Sequence, residues 1–196
     1  HEAAFGRDDF LPGASNAAAV SLIESWPDWP SPVVLLAGPV GSGKTHLVHV
    51  WQEISGAVIV NARDLVETEA DALARHGAVA VEDAHAGVDQ AALFHLINAV
   101  RGHGAHLLVT ARTWPQSWGL TLPDLASRLR AATPLEILEP DDELLSRVLV
   151  KLFADRQIDV DPAVVDYLVV RMERSLAAAQ DIVDRLDRAS LSAGRG

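Results

Sequence analysis

Residues 35–47 read LLAGPVGSGKTHL: an apolar run, a turn with three glycines in six residues, then Lys44, two polar residues and Leu47. Lys44 is one of two lysines in the chain, the other being Lys151. Gly38, Pro39, Val40, Gly41, Ser42, Gly43, Lys44 and Thr45 satisfy every position of the phosphate-loop pattern G-x-x-x-x-G-K-[ST]. The flanks agree, with an apolar strand before the loop and an amphipathic helix after it. Without side chains at Gly41 and Gly43, successive backbone N–H groups can turn toward one anion at the positive end of the helix. Lys44 then supplies a point charge to β- and γ-phosphates, and the Thr45 hydroxyl is suited to Mg²⁺. The plain alternative is a glycine turn that merely joins a strand to a helix.

Working outward, the pattern alternates strands with helices. Residues 15–25 predict a short helix, closed by the Pro-rich WPDWPSP loop, in which Trp26 and Trp29 are expected to pin the approach to the first strand. Residues 33–37 are wholly apolar, as in a parallel strand covered on both faces. Further strands are predicted at 57–61, 78–81, 105–111 and 133–138, and helices at 44–54, 63–75, 88–102 and 123–131. This order predicts an α/β fold of the P-loop NTPase type, with a five-stranded parallel sheet flanked by helices and right-handed crossovers. Beyond Glu139-Pro140 no strand pattern remains. Leu145, Val148, Leu149, Leu152 and Phe153 form one helical stripe, and Val165, Leu168, Val169 and Met172 a second, opened by Asp161 as N-cap with Pro162 after it. Leu176, Ala179, Val183 and Leu186 form a third. The chain therefore divides into an α/β body, residues 1–139, and a small helical lid, residues 140–196.

A phosphate loop needs an acid on a neighbouring strand to hold Mg²⁺, and often a second to orient water. In AVAVEDAH, Glu82 falls at the metal position and Asp83 at the water-orienting one. The usual order has Asp first, and the alternative is that both acids cap the next helix.

Composition narrows the function classes. At 196 residues, about 70% of the unfolded chain's surface can be buried, so the core needs no staples. The absence of cysteine excludes disulfides and thiolate metal sites and fits a reducing cytoplasm. The apolar runs fall short of the roughly 18 residues of a membrane span, and HEAAFGRDDF shows no secretory leader. A net charge of −11 argues against a long footprint on DNA. Arginine far outnumbers lysine, which favours planar recognition of phosphate or carboxylate.

The extension of the loop in GSGKTHL resembles the DnaA-related AAA+ ATPases. FLPGASNAAAV resembles the family's leading segment beside the adenine pocket, LPDLASRL the segment that carries its arginine finger, and LVKLFADRQI and RLDRAS its helical lid. Within the family the chain is most similar to the Hda-type regulators, which keep the ATPase module and lack the terminal helix-turn-helix. The resemblance implies ATP or ADP as ligand, with Mg²⁺ at Thr45 and Glu82. It implies Leu11 and His46 as further nucleotide-binding residues, Asp83 as catalytic, and Arg128 as the arginine finger. In the bland reading, Arg128 pairs with Asp124 on the surface of its helix. The implied partner is the DnaA initiator, and the implied action is stimulation of DnaA-bound ATP hydrolysis by Arg128 supplied in trans, which prevents re-initiation. Self-association is left open, and neither sequence-specific DNA binding nor membrane contact is expected.

Three positions depart from the family. The sensor-1 position falls at Ala111-Arg112, where a small polar or acidic residue is common. The lid arginine falls at Ala177, with Arg174, three residues earlier, as the substitute candidate. No Gln- and Leu-containing peptide for the polymerase sliding clamp precedes Phe5, and the sequence reads as trimmed at both ends. Glu82, Ala111 and Ala177, as departures from the hydrolytic pattern, imply weak hydrolysis by the chain itself. Alternative readings are a stand-alone P-loop ATPase or small-molecule kinase, or a fragment of a helicase loader or initiator. The histidine pairs His46/His49 and His103/His106 lack a third ligand at metal spacing, and Trp114 and Trp118 read as core or partner contacts.

Overall fold

The computed structural model describes residues 11–192; Phe5, Phe10 and residues 193–196 lie outside the described residues. Five strands, β1 (Val33–Ala37), β2 (Val58–Asn61), β3 (Ala78–Glu82), β4 (His106–Ala111) and β5 (Thr133–Glu136), form one sheet in the order β2-β3-β4-β1-β5. All the pairings are parallel. Helices α1 (Ala17–Glu24), α2 (Lys44–Ser55), α3 (Ala70–Ala74), α4 (Gln90–Gly102) and α5 (Pro123–Arg130) belong to this body. Helices α6 (Asp142–Asp155), α7 (Pro162–Arg171) and α8 (Leu176–Ser192) follow it.

The apolar character of β1 is explained by its place: it is an interior strand, and all five of its residues are buried. The sheet carries a core on each face. One contains Val33, Leu35, Val79, Val81, Leu107 and Val109 with the α4 side chains Leu93, Leu96 and Ile97. The other contains Val34, Leu36, Ala80 and Leu108 with Leu47 and Trp51 of α2 and Ile23 of α1. Alternating residues of one strand thus enter opposite cores, as the two-residue strand period requires. Trp29 stacks on Trp51 at 5.1 Å between ring centroids, and its indole N–H donates to the Leu22 carbonyl at 2.9 Å. The tryptophans of the Pro-rich loop therefore do pin the approach to β1.

A third buried cluster joins the last three helices: Leu144, Leu145, Val148, Leu149, Leu152 and Phe153 of α6, Val165 and Val169 of α7, and Leu176, Ala179 and Val183 of α8. Asp161 caps α7 through its carboxylate, which accepts from Ala163 N at 2.9 Å. Leu186 departs from the expected stripe and is 42% exposed, because the buried cluster ends at Val183. Arg156 closes this end instead, pairing with Asp184 and, at 3.6 Å, with Asp187.

Two expected elements differ. The helix predicted over 63–75 is two single 3₁₀ turns, at 62–64 and 67–69, followed by the five-residue α3. The Asn61 side chain caps the first turn by accepting from Arg63 N at 3.1 Å, and Leu65 and Val66 then take extended backbone. That break places Leu65 in the core, 3% exposed, where an unbroken polar helix had no way to bury it. The fifth strand stops at Glu136, two residues early. Ile137 N still donates to Ala37 O at 2.8 Å, but Leu138 N turns to Ser15 O at 3.0 Å. The chain leaves the sheet there because the leading segment takes its next hydrogen bond.

Candidate functional site

Parallel strands present their carboxyl ends on one edge, and that edge is where an open α/β sheet forms its site. Register decides what meets there. Ala37 of β1 lies opposite Ala111 of β4, so Gly38 and Arg112 leave adjacent strand ends, with Gly38 N donating to Ala111 O at 3.1 Å. Glu82 ends β3, next to β4 on its other side. A cavity of about 320 Å³ opens at this edge, lined by Val40, Gly41, Gly43, Lys44, Thr45, His46, Asp83, Arg112 and Ala177. Six of the phosphate-loop and adjacent residues named from the sequence therefore line one space, together with Asp83.

The glycines do what the motif requires. Gly41 and Gly43 have φ of 72° and 108°, in the left-handed region that disfavours side chains. A Cβ on Gly41 would lie 2.7 Å from Ser175 Cβ, and one on Gly38 2.8 Å from the Ile137 carbonyl oxygen. Pro39 bridges Gly38 and Val40 at the loop's start, and the Pro39 carbonyl accepts from Lys44 Nζ at 2.9 Å. Lys44 Nζ donates also to the Gly38 carbonyl, so the ammonium is folded back on its own loop. Burial, then the Arg112 charge, lowers the Lys44 pKa; Asp83 and Glu82 oppose the shift. The buried Ser42 hydroxyl has no hydrogen-bond partner among the described residues. A turned, glycine-bare cradle with an orphaned hydroxyl and a desolvated ammonium fits a polyphosphate.

The acids sit beside it. Thr45 Oγ1 donates to Glu82 Oε1 at 3.3 Å. Burial foremost, and Asp83 next, raise the Glu82 pKa, with the Thr45 hydrogen bond working the other way. Thr45 and Glu82 are therefore an adjacent pair of oxygen donors, a set that suits Mg²⁺, which takes one or two protein ligands and completes its shell with phosphate and water. Among the described residues no group of three or more His, Asp or Glu side chains could hold a metal without such help. Asp83 has φ of 63°, the left-handed region, uncommon for a non-glycine residue. Its N–H donates to Thr110 Oγ1 at 3.3 Å, and its Oδ2 accepts from Asn61 Nδ2 at 3.4 Å. Neither expected capping of the next helix nor free exposure describes it: the carboxylate is held toward the cavity.

Leu11 packs against the lid cluster, and its segment ties body to lid. Leu138 N donates to Ser15 O at 3.0 Å on one side, and Arg147 of α6 donates to the Pro12 carbonyl at 2.7 Å on the other. His46 lines the cavity, and burial foremost, with His49 next, lowers its pKa and favours the neutral ring. The lid closes over the loop through main chain: Leu176 N donates to Gly41 O at 2.7 Å.

Arg174 is directed elsewhere. It pairs with Asp142 and donates to the Pro140 carbonyl at 3.4 Å, and it does not line the phosphate cavity. The expectation of a similar helical face fails because Arg174 precedes α8, in the turn before Leu176, and so does not share that helix's geometry. The lid residue at the cavity is Ala177. Arg128 lies on α5, where Leu125 and Leu129 are buried and Arg128 is exposed. It makes no ion pair with Asp124, nor any other hydrogen bond or ion pair among the described residues, so the surface-pair reading is not what the structure shows.

Sequence reasoning assigned no role to Asn61, Thr110 or His85 and no ligand role to Arg112. The signal for Arg112 and Thr110 was their place at the carboxyl end of an apolar parallel strand; for Asn61 and His85 there was none beyond adjacency to predicted strand ends. A larger cavity, about 610 Å³, lies beside α5 and is lined by Trp114, Pro115, Leu120, Ala126, Leu129 and Arg130 among others. Its walls are mostly apolar and gather no acid–base chemistry, so it is not the chemical centre.

Comparison with known proteins supports this geometry. Residues 142–196 match the family model described as "Hda, lid domain". An uncharacterized protein of Haemophilus influenzae is 26% identical over 191 residues, covering 89% of this chain and 81% of that protein. Domain III of the replication initiation protein DnaA of Thermotoga maritima superposes with a TM-score of 0.80 at 16% identity, covering 98% of this chain and 91% of that one. AMPPCP-bound DnaA from Aquifex aeolicus gives a TM-score of 0.78 at 17% identity, covering 93% of this chain. The chain spans 65% of the length of that initiator. The sheet order, the phosphate loop and the helical lid define a AAA+ fold. Residues 142–196 thus match an Hda-type lid, and the chain as a whole has a fold similar to that of DnaA.

Proposed function

We propose that this protein binds ATP or ADP at the phosphate loop and stimulates hydrolysis of ATP held by the DnaA initiator. In this reading the body, residues 1–139, and the lid, 140–196, are two units with the nucleotide between them. Backbone N–H groups of residues 41–45 and the ammonium of Lys44 would hold the phosphates, with Leu11 near the base. Thr45 and Glu82 would hold Mg²⁺, which when bound supplies charge neutralisation at the phosphates.

The observation that carries the partner role is Arg128, exposed on α5 and free of intramolecular pairing among the described residues. A guanidinium so placed can reach a neighbour's triphosphate and stabilise charge that develops during hydrolysis, an effect worth roughly 10³–10⁵ in rate when an arginine finger acts in trans in GTPases. Features that weaken turnover at the chain's own site point the same way. Burial disfavours the ionised Glu82 carboxylate, and the lid brings a methyl group rather than a cation to the phosphates. Contact with the sliding clamp belongs to the same proposal.

Two variants test it. Lys44→Ala is expected to abolish nucleotide binding. Arg128→Ala is expected to retain nucleotide affinity and to lose stimulation of DnaA's ATPase in a mixed assay. Full stimulation by Arg128→Ala would refute the finger.

A further inference from the structure

We propose that the cavity of about 610 Å³ beside α5 is a binding site for a small amphiphilic carboxylate, an apolar body carrying one acid group. The inference goes beyond the nucleotide reading and does not depend on it, since this cavity and the phosphate cavity share no lining residue.

The space exists because the edge strand β5 is covered on one face only. Leu135 packs against the core that holds α1 and α2, whereas no residue of β5 joins the described core on the α4 face. There Pro134 lies opposite Leu35 of β1, and the pair forms the floor. Leu35 and Leu129 are each 3% exposed, so the cavity reaches into the core and is no shallow surface patch. Ala126, Leu129 and Arg130, at i, i+3 and i+4, present one face of α5 to it. The opposite wall is the loop from Trp114 to Leu120, and that loop is fixed without a ligand. The Trp118 indole N–H donates to the Thr113 carbonyl at 2.9 Å, and Thr121 N and Leu122 N both donate to Gln90 Oε1, at 2.9 and 3.1 Å. A preformed apolar cavity of this volume lies within the range of small-ligand sites, about 300–1,000 Å³.

The lining is apolar except for Gln116 and Arg130. Both are exposed, so they mark the wet mouth of the cavity. No acid lines it, and among the described residues the Arg130 guanidinium makes no hydrogen bond or ion pair. A guanidinium fork there matches the two oxygens of a carboxylate, while the apolar walls take the rest of the ligand out of water. Arg128 lies two residues from both Ala126 and Arg130 and therefore points away from the cavity, on the other side of the helix. The surface that would meet a neighbour's triphosphate is thus separate from this one, and a deep pocket with one cation at its mouth suits a small ligand.

The test is calorimetric titration of the purified chain with octanoate, with octanol as its uncharged counterpart. The parent is expected to bind octanoate about 10-fold more tightly than octanol, the gain of a charge-assisted hydrogen bond. Arg130→Gln should abolish that preference. Ala126→Phe, which extends into the cavity from α5, should weaken both ligands alike, by about 10-fold or more. Both variants should melt near the parent, because Arg130 is exposed and the ring at 126 enters open space. Equal affinity of the parent for the two ligands, an unchanged preference in Arg130→Gln, or parent-like binding by Ala126→Phe overturns the proposal. Failure of octanoate to bind overturns it too, and a dimer that Ala126→Phe dissociates in sedimentation would then make a second copy of the chain the occupant.

Discussion

The two walls of the phosphate cavity are built on different chemistry. The body wall carries Lys44 and Thr45 at the start of α2 and Asp83 and Arg112 just past the ends of β3 and β4, two largely buried interior strands. The lid wall carries a methyl group at Ala177 and one N–H, that of Leu176, already bonded to Gly41 O. Ligand charge therefore acts on the body, while the lid is held by packing and by a main-chain hydrogen bond that needs no ligand.

The strongest way to break this contrast is at the point where the walls touch. Gly41→Ala puts a Cβ 2.7 Å from Ser175 Cβ and forces a φ of 72° on a non-glycine residue. We expect about 1–3 kcal/mol of destabilisation, read as a lower midpoint in urea unfolding, together with separation of Leu176 from the loop. A parent-like midpoint would show that the lid does not rest on the loop in solution.

A gentler probe is pH. Bound phosphate favours the charged form of Lys44, so the complex holds a proton that the free protein gives up as pH rises through its lowered Lys44 pKa. ADP affinity should accordingly be full below that pKa and fall above it, the decline beginning below 10.5, the usual value for lysine. In Arg112→Ala the decline should shift to higher pH, because one cause of the lowered pKa is gone. An unshifted profile would mean that Arg112 and Lys44 do not share the cavity's charge.

The smallest effect is expected at Arg174. Its pair with Asp142 is well exposed, at 42% and 63% of the two side chains, and such pairs are worth about 0–1 kcal/mol. Arg174→Ala should leave both nucleotide affinity and melting temperature near the parent's. A large loss of affinity would return the lid to the phosphate-binding wall.

Legibility followed range. The phosphate loop, the strands and the lid stripes were readable because each depends on neighbours within a few residues: glycines where φ is positive, apolar runs where a strand has cover on both faces, i, i+3, i+4 spacing where a helix has one buried side. The segment 63–75 was misread because its polar composition fits a helix locally, whereas burying Leu65 requires a break that only the core demands. Arg174 was misread for a related reason: three residues equal one turn only inside a helix, and Arg174 lies before α8 begins.

What the chain dictates by itself is the kind of site: a bare loop, one lysine, a hydroxyl and two consecutive acids at the end of another strand, followed by three amphipathic helices. What tertiary structure alone decides is which cations face the ligand. The pairing of Ala37 with Ala111 brings Arg112 to the loop, the turn before α8 takes Arg174 to Asp142, and α5 leaves Arg128 in solvent. Those outcomes depend on strand register and on contacts between residues tens of positions apart in the chain, and no local pattern encodes the direction in which a long, flexible arginine finally points.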